Sequence, residues 1–150
     1  MNKTEFIDFY KNIAKIAKKN LEKDGYITPI FFLLDKNGII NSIIPHFDNI
    51  QTKHLSIIAL RQLIQKLGII AAIQVSDAWQ TKIDRNTGQQ EKTECIMCAY
   101  SDLEKNTKCH LMPYKQIENK KYKFAKEIDM NNNETSGFMF SLFDRKEYIE

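Results

Sequence analysis

The sequence predicts an α+β fold: a mainly antiparallel five- or six-stranded sheet with two helices packed on one face. The element order is α-β-β-α-β-β-β, followed by a C-terminal element of open type. Three observations predict it. Two stretches, 4–23 and 53–67, carry apolar residues at spacings of three and four, the period of a helix with one buried side. The tetrapeptide Asp35-Lys36-Asn37-Gly38 separates two apolar runs as a hairpin turn would. The run from Gly68 to Tyr114 reads as a three-strand meander built on one central strand, Gly68 to Trp79.

In the first helix, Phe6, Phe9, Tyr10, Ile13, Ile16, Ala17 and Leu21 form the apolar stripe, with Thr4 as candidate cap and Gly25 as stop. Lysines 11, 15, 18, 19 and 23 decorate the remainder. A basic amphipathic helix can lie on a membrane surface, but docking on a sheet with a solvated lysine side is the plainer reading. Tyr26 to Leu34 reads as a buried strand with Pro29 near its start, and Ile39 to Ile44 as its hairpin partner.

Thr52 is the candidate cap of the second helix and Gly68 its C-terminal cap. Two adjacent apolar stripes, Leu55-Ile58-Ala59-Leu63 and Ile57-Leu60-Ile64-Leu67, predict that this helix is more buried than the first. The central strand is apolar on both faces in its first half, so something should cover each side. It then alternates, with Ile73, Val75, Asp77 and Trp79 on one face and Gln74, Ser76 and Ala78 on the other. Thr81 to Lys92 reads as a hairpin loop, Thr93 to Tyr100 as the returning strand, and Lys108 to Tyr114 as the third. Tyr122 to Ile128 fits a further strand and 131–133 a loop. Ser136 to Arg145 fits a short helix or a last strand through Phe138, Phe140 and Leu142.

Composition narrows the function classes. A length of 150 residues suits a single domain, and 43% hydrophobic with 27% charged residues is globular. A formal net charge of +3 does not by itself imply nucleic acid. Three cysteines, with no apolar leader in the first 25 residues, point to a reducing, cytoplasmic setting. No apolar run approaches the length of about 20 residues that crosses a bilayer, so no membrane partner is expected.

A strand ending Ser76-Asp77-Ala78-Trp79, a polar loop, and a strand opening Glu94-Cys95-Ile96-Met97 together carry a resemblance. From Thr52 to Tyr114 the chain resembles small α+β proteins of unknown function from bacteria and their phages. The pattern departs before Glu94, where an arginine is expected and Thr93 stands. The resemblance implies a fold arrangement and no catalytic residues.

Several groups are candidates for chemistry. Asp77 and Glu94 flank one hairpin beside Trp79, whose apolar wall would raise a carboxyl pKa. Strand register brings Tyr100 and Tyr114 toward the same end, so Asp77, Trp79, Glu94, Tyr100 and Tyr114 form the candidate binding group. Cys98 and His110 can face one another across a hairpin as a thiol–imidazole pair. Cys95 and Cys98, with Cys109 and His110, invite a zinc reading. Strand geometry turns Cys95 and Cys98 to opposite faces, so neither metal nor other cofactor is expected. Lys115, Lys120, Lys121, Lys123 and Lys126 alternate with Tyr114, Tyr122 and Phe124, a mixture that suits single-stranded nucleic acid. His46 and His54 bracket the loop before the second helix as surface residues.

The function these features favour is a small intracellular binding or protein-interaction module, of phage or mobile-element origin. Its partner would be another protein or a second copy of itself, near Trp79. The rival readings are a nucleic-acid binder using 114–126 and a small enzyme using Cys98 with His110 or Asp77 with Glu94.

Overall fold

The computed structural model describes residues 1–45, 49–131 and 142–143. Helix α1 (Lys3–Asp24) is capped two residues before the predicted Thr4. Asn2 is the cap: its side-chain oxygen accepts the Glu5 N–H at 2.8 Å, and the Glu5 carboxylate accepts the Asn2 N–H at 3.2 Å. Two otherwise orphaned amides are thereby satisfied. Gly25 closes the helix with its N–H on the Leu21 carbonyl at 2.8 Å. Of the predicted stripe α1 buries Phe6, Tyr10, Ile13, Ala17 and Leu21, while Phe9 is half-buried and Ile16 is exposed.

Strands β1 (Ile30–Asp35) and β2 (Ile40–Ile43) make the predicted hairpin. The Asp35 carboxylate accepts the N–H groups of Asn37 and Ile39, holding the turn, while Gly38 takes φ 82°. A Cβ at Gly38 would stand 2.8 Å from the Met1 carbonyl oxygen, so glycine serves both backbone and space.

Helix α2 (Ile50–Leu67) is capped by Asn49, with Thr52 as the reciprocal third residue and not the cap itself. It buries only Leu60 and Ile64, fewer than α1, contrary to the prediction from its wide apolar face. Leu55 and Ile50 lie on the surface, because the sheet beneath offers α2 a narrow apolar strip of Phe31, Leu33, Ala72 and Ala99.

The sheet continues through β3 (Ile69–Ile83), β4 (Gln90–Asp102), β5 (Thr107–Glu118), β6 (Lys121–Phe124) and β7 (Ile128–Asn131). Its order is β2-β1-β3-β4-β5-β6, with β7 also on β5, and every pairing is antiparallel. Among the described residues there are seven strands where five or six were predicted. The single strand predicted over Tyr122–Ile128 breaks into two pieces that pair with successive parts of β5.

The helices cover opposite faces, which corrects the expectation of both on one. Phe32, Leu34, Ala71 and Ile73 face α1, in a cluster with Phe6, Tyr10 and Tyr100. Phe31, Leu33 and Ala72 face α2, with Leu60 and Ile64. A strand that is apolar on both sides stays dry only when both are covered, as the pattern of β3 required. Leu142, from the predicted closing element, is buried on the α2 side. His46, residues 132–133 and the rest of the stretch 136–145 lie outside the described residues.

The pairing lengths position the site. β1 leaves β3 after Ile30↔Val75, and β5 leaves β4 after Cys95↔Pro113. The β3–β4 ladder runs on to Ile83↔Gln90. The sheet therefore forks into two ribbons, Trp79–Ile83 with Gln90–Glu94, and Tyr114–Glu118 with Lys121–Phe124.

Candidate functional site

The predicted residues Asp77, Trp79, Glu94 and Tyr114 meet at the root of this fork. Alternation sets Asp77 and Trp79 on the α1 side of β3, and register puts Glu94 directly opposite Trp79. Tyr114 enters from β5. Its hydroxyl donates to Glu94 Oε2 at 2.8 Å and lies 3.3 Å from Asp77 Oδ1. Its ring is fixed edge-on to Tyr122, at 5.5 Å and 83°. Leu21 and Gly25 from the end of α1, with Tyr122 and Gln116, complete a cleft of about 360 Å³. Tyr122 is the member of this cleft that sequence reading missed as such; its alternation with Lys121 and Lys123 was the available signal.

One phenolic proton serves two carboxylates here. Burial, and then the nearby Glu94 charge, raise the Asp77 carboxyl above its usual range; bonds from Tyr114 and the Ile27 backbone oppose them. Burial also raises the Tyr114 hydroxyl, together with its bond to Glu94 and the charges of both carboxylates, so it remains a neutral donor. Trp79 is 64% exposed and Ile83, farther along the same face, 61%. The indole therefore stands on the ribbon and does not cap the core.

Tyr100 is not part of this group, correcting the expectation from register. It pairs with Ile73 deep in the sheet, is 1% exposed, and packs on Phe6 and Tyr10. Its hydroxyl donates to Asp102 Oδ2 at 2.8 Å. Asp102 also accepts from Lys3, from the Glu104 and Asn106 backbones and from the Asn106 side chain. Burial alone would raise its carboxyl, but these bonds together hold it below the usual range.

Cys98 and His110 are direct cross-strand partners, as the dyad reading required. Their chemistry differs from a dyad's. Cys98 is fully buried, and burial, with the neighbouring Cys109 and Glu127, pushes its thiol up to about 12, away from the thiolate a nucleophile needs. The His110 ring instead meets Asp129 at 2.5 Å and Glu127 at 3.2 Å. Cys109 is raised to about 11, chiefly by burial, and Cys95 is raised for the same reason. Among the described residues, no three His, Cys, Asp or Glu side chains are placed to hold a metal ion. His54 is exposed.

The lysine-aromatic stretch is divided by its own alternation. Tyr114, Tyr122 and Phe124 pack on the α1 cluster, while Lys115 and Lys123 oppose each other and, with Lys126, line a groove that Tyr114 and Phe124 also border. Lys120 stands at the β5–β6 turn, and Lys121 pairs with Glu118 at 3.4 Å. Among the described residues, no helix is long and apolar enough to cross a membrane.

No curated protein and no solved structure matches the chain. A family model does match, over residues 1–143, and it is described as Bacteriophage lambda protein ea47. It bears out the phage side of the resemblance; nothing found bears out the bacterial side. The match runs through both helices, the whole sheet and the fork, so the chain belongs to the bacteriophage lambda protein ea47 family and is of phage origin.

Proposed function

We propose that this phage protein is a protein-interaction module that receives its partner on the Trp79 side of the β3–β4 ribbon. The partner is another protein or a second copy of the chain, and the setting is cytoplasmic, in keeping with three free, buried thiols. The observation that carries the reading is the exposure of Trp79 on a ribbon with neither edge paired in the described fold. Indole and phenol side chains concentrate binding energy at interfaces, and an open strand edge is a template for pairing. The Asp77–Glu94 pair beside it favours a partner with a basic side chain at the contact.

Sedimentation of the wild type and of Trp79→Ala, each with a thermal melt, tests this. The variant is expected to keep its stability to within about 0.5 kcal/mol, as an exposed site should, and to lose association. A Trp79→Ala chain that melts far earlier would show that the indole serves the fold, and the reading would fail. A wild type monomeric at tens of micromolar, the order at which a weak dimer forms, would leave only a different protein as partner.

A further inference from the structure

The fork carries a second surface. Where β5 parts from β4 at Pro113, a groove of about 770 Å³ opens between the two ribbons. Lys82 stands on one wall, beside Gln80 and Thr93, which are cross-strand partners. Lys115 and Lys123 stand on the other, with Lys126 following.

Of the three acids at this groove, two are engaged. Glu127 pairs with Lys18 at 2.6 Å and also meets His110, and Asp129 meets His110. Glu91 lies directly opposite Lys82. Lys115 and Lys123, by contrast, are a direct cross-strand pair of like charge, an arrangement that costs stability. Among the described residues neither they nor Lys126 form an ion pair. The fold thus holds three lysines at the groove that no carboxylate pairs with among the described residues.

We propose that this groove binds the phosphate backbone of a single-stranded nucleic acid. Its lysines approach from two walls, which suits one backbone strand better than the broad outer surface of a duplex. Tyr114 and Phe124 also border the groove, but Tyr122 stands edge-on to the Tyr114 ring and Lys18 lies 4.9 Å from the centre of Phe124, so base stacking adds little. Binding should therefore be indifferent to sequence and steep in salt. Thr93, Tyr114 and Lys115 border both this groove and the Trp79 cleft, but the proposal rests on the lysines and not on the indole.

The test is fluorescence anisotropy of a labelled oligothymidylate over a salt series, with the wild-type chain. Four phosphate contacts at about −0.7 each predict a log–log slope of about −3. Lys115→Gln/Lys123→Gln should weaken binding by about tenfold or more at low salt and make the slope shallower by about 1.4. Removing a like-charge pair should not lower its melting temperature, and Lys126→Gln gives a second, single-site check. Lys11→Gln/Lys15→Gln on the exposed side of α1 makes the same change in net charge and should leave binding as it was. No binding by the wild type, an equal loss in the α1 variant, or tighter binding of a duplex of the same length would each overturn the proposal.

Discussion

Asp77 is where stability and the candidate site pull in opposite directions. Its carboxyl is held above the usual value of 3.8, by burial first and with Glu94 adding to it. The folded chain therefore holds this proton more readily than the unfolded chain does. Stability contributed by the residue is greatest at low pH, declines as pH rises through the raised value, and stays reduced at neutral pH. Asp77→Asn keeps an oxygen to accept from Ile27 and Tyr114 but removes the charge. It should melt about 1–2 °C above wild type at pH 7, the difference shrinking toward pH 4. Thermal melts at both pH values check this, and a variant less stable at pH 7 would contradict it. Asp77, Trp79, Glu94 and Tyr114 were legible because alternation along β3 and the position of the hairpin suffice to bring them to one side. Tyr100 has the same parity as Glu94 but pairs with Ile73, four pairs deeper in the β3–β4 ladder than Asp77↔Ile96. Cys98 and His110 show the converse: their register was guessed correctly, yet burial and the acids on β7 and before it decided their chemistry.

Among elements, the caps and the ribbon were the least legible. Asn2 and Asn49 open their helices through reciprocal boxes with Glu5 and Thr52; asparagine is the stronger cap, but in both helices a threonine two or three residues on stood nearer the apolar stripe. The polar segment from Thr81 to Lys92 reads as loop because it lacks buried residues, but β3 and β4 remain paired as far as Ile83↔Gln90. Strand hydrogen bonding needs no apolar face, and the period-2 signal vanishes where both faces are wet. That ribbon buries little, so it should be separable from the folded body. Replacing Thr81–Lys92 by Asn-Gly, which suits a two-residue hairpin turn, should leave the melting temperature within about 4 °C of wild type, the shift for about 1 kcal/mol at this size. Calorimetry checks it; a drop several times larger would mean the ribbon packs against the body.

At the scale of the molecule, the sequence of elements was legible and the layering was only partly so. The double-sided apolar pattern of β3 called for cover on both faces, while helix stripes carry no information about which face they reach. Register settles that: Phe31 and Leu33 point one way and Phe32 and Leu34 the other, and α2 and α1 take one set each. The fork follows from unequal strand lengths, since β3 and β4 outrun β1 and part from β5. It gathers an indole, two carboxylates and two phenols at one cleft and unpaired lysines along the neighbouring groove, so the two suit different partners.

The central claim is that the indole of Trp79 stands in water in the unpartnered chain. Trp79 is the only tryptophan, so its fluorescence reports on that site alone. The measurement is emission and acrylamide quenching at a concentration where sedimentation shows monomer. The account predicts red-shifted emission quenched nearly as well as a free indole, with protection appearing only when a partner or a second copy binds. Blue-shifted emission that resists quencher in the monomer would contradict it.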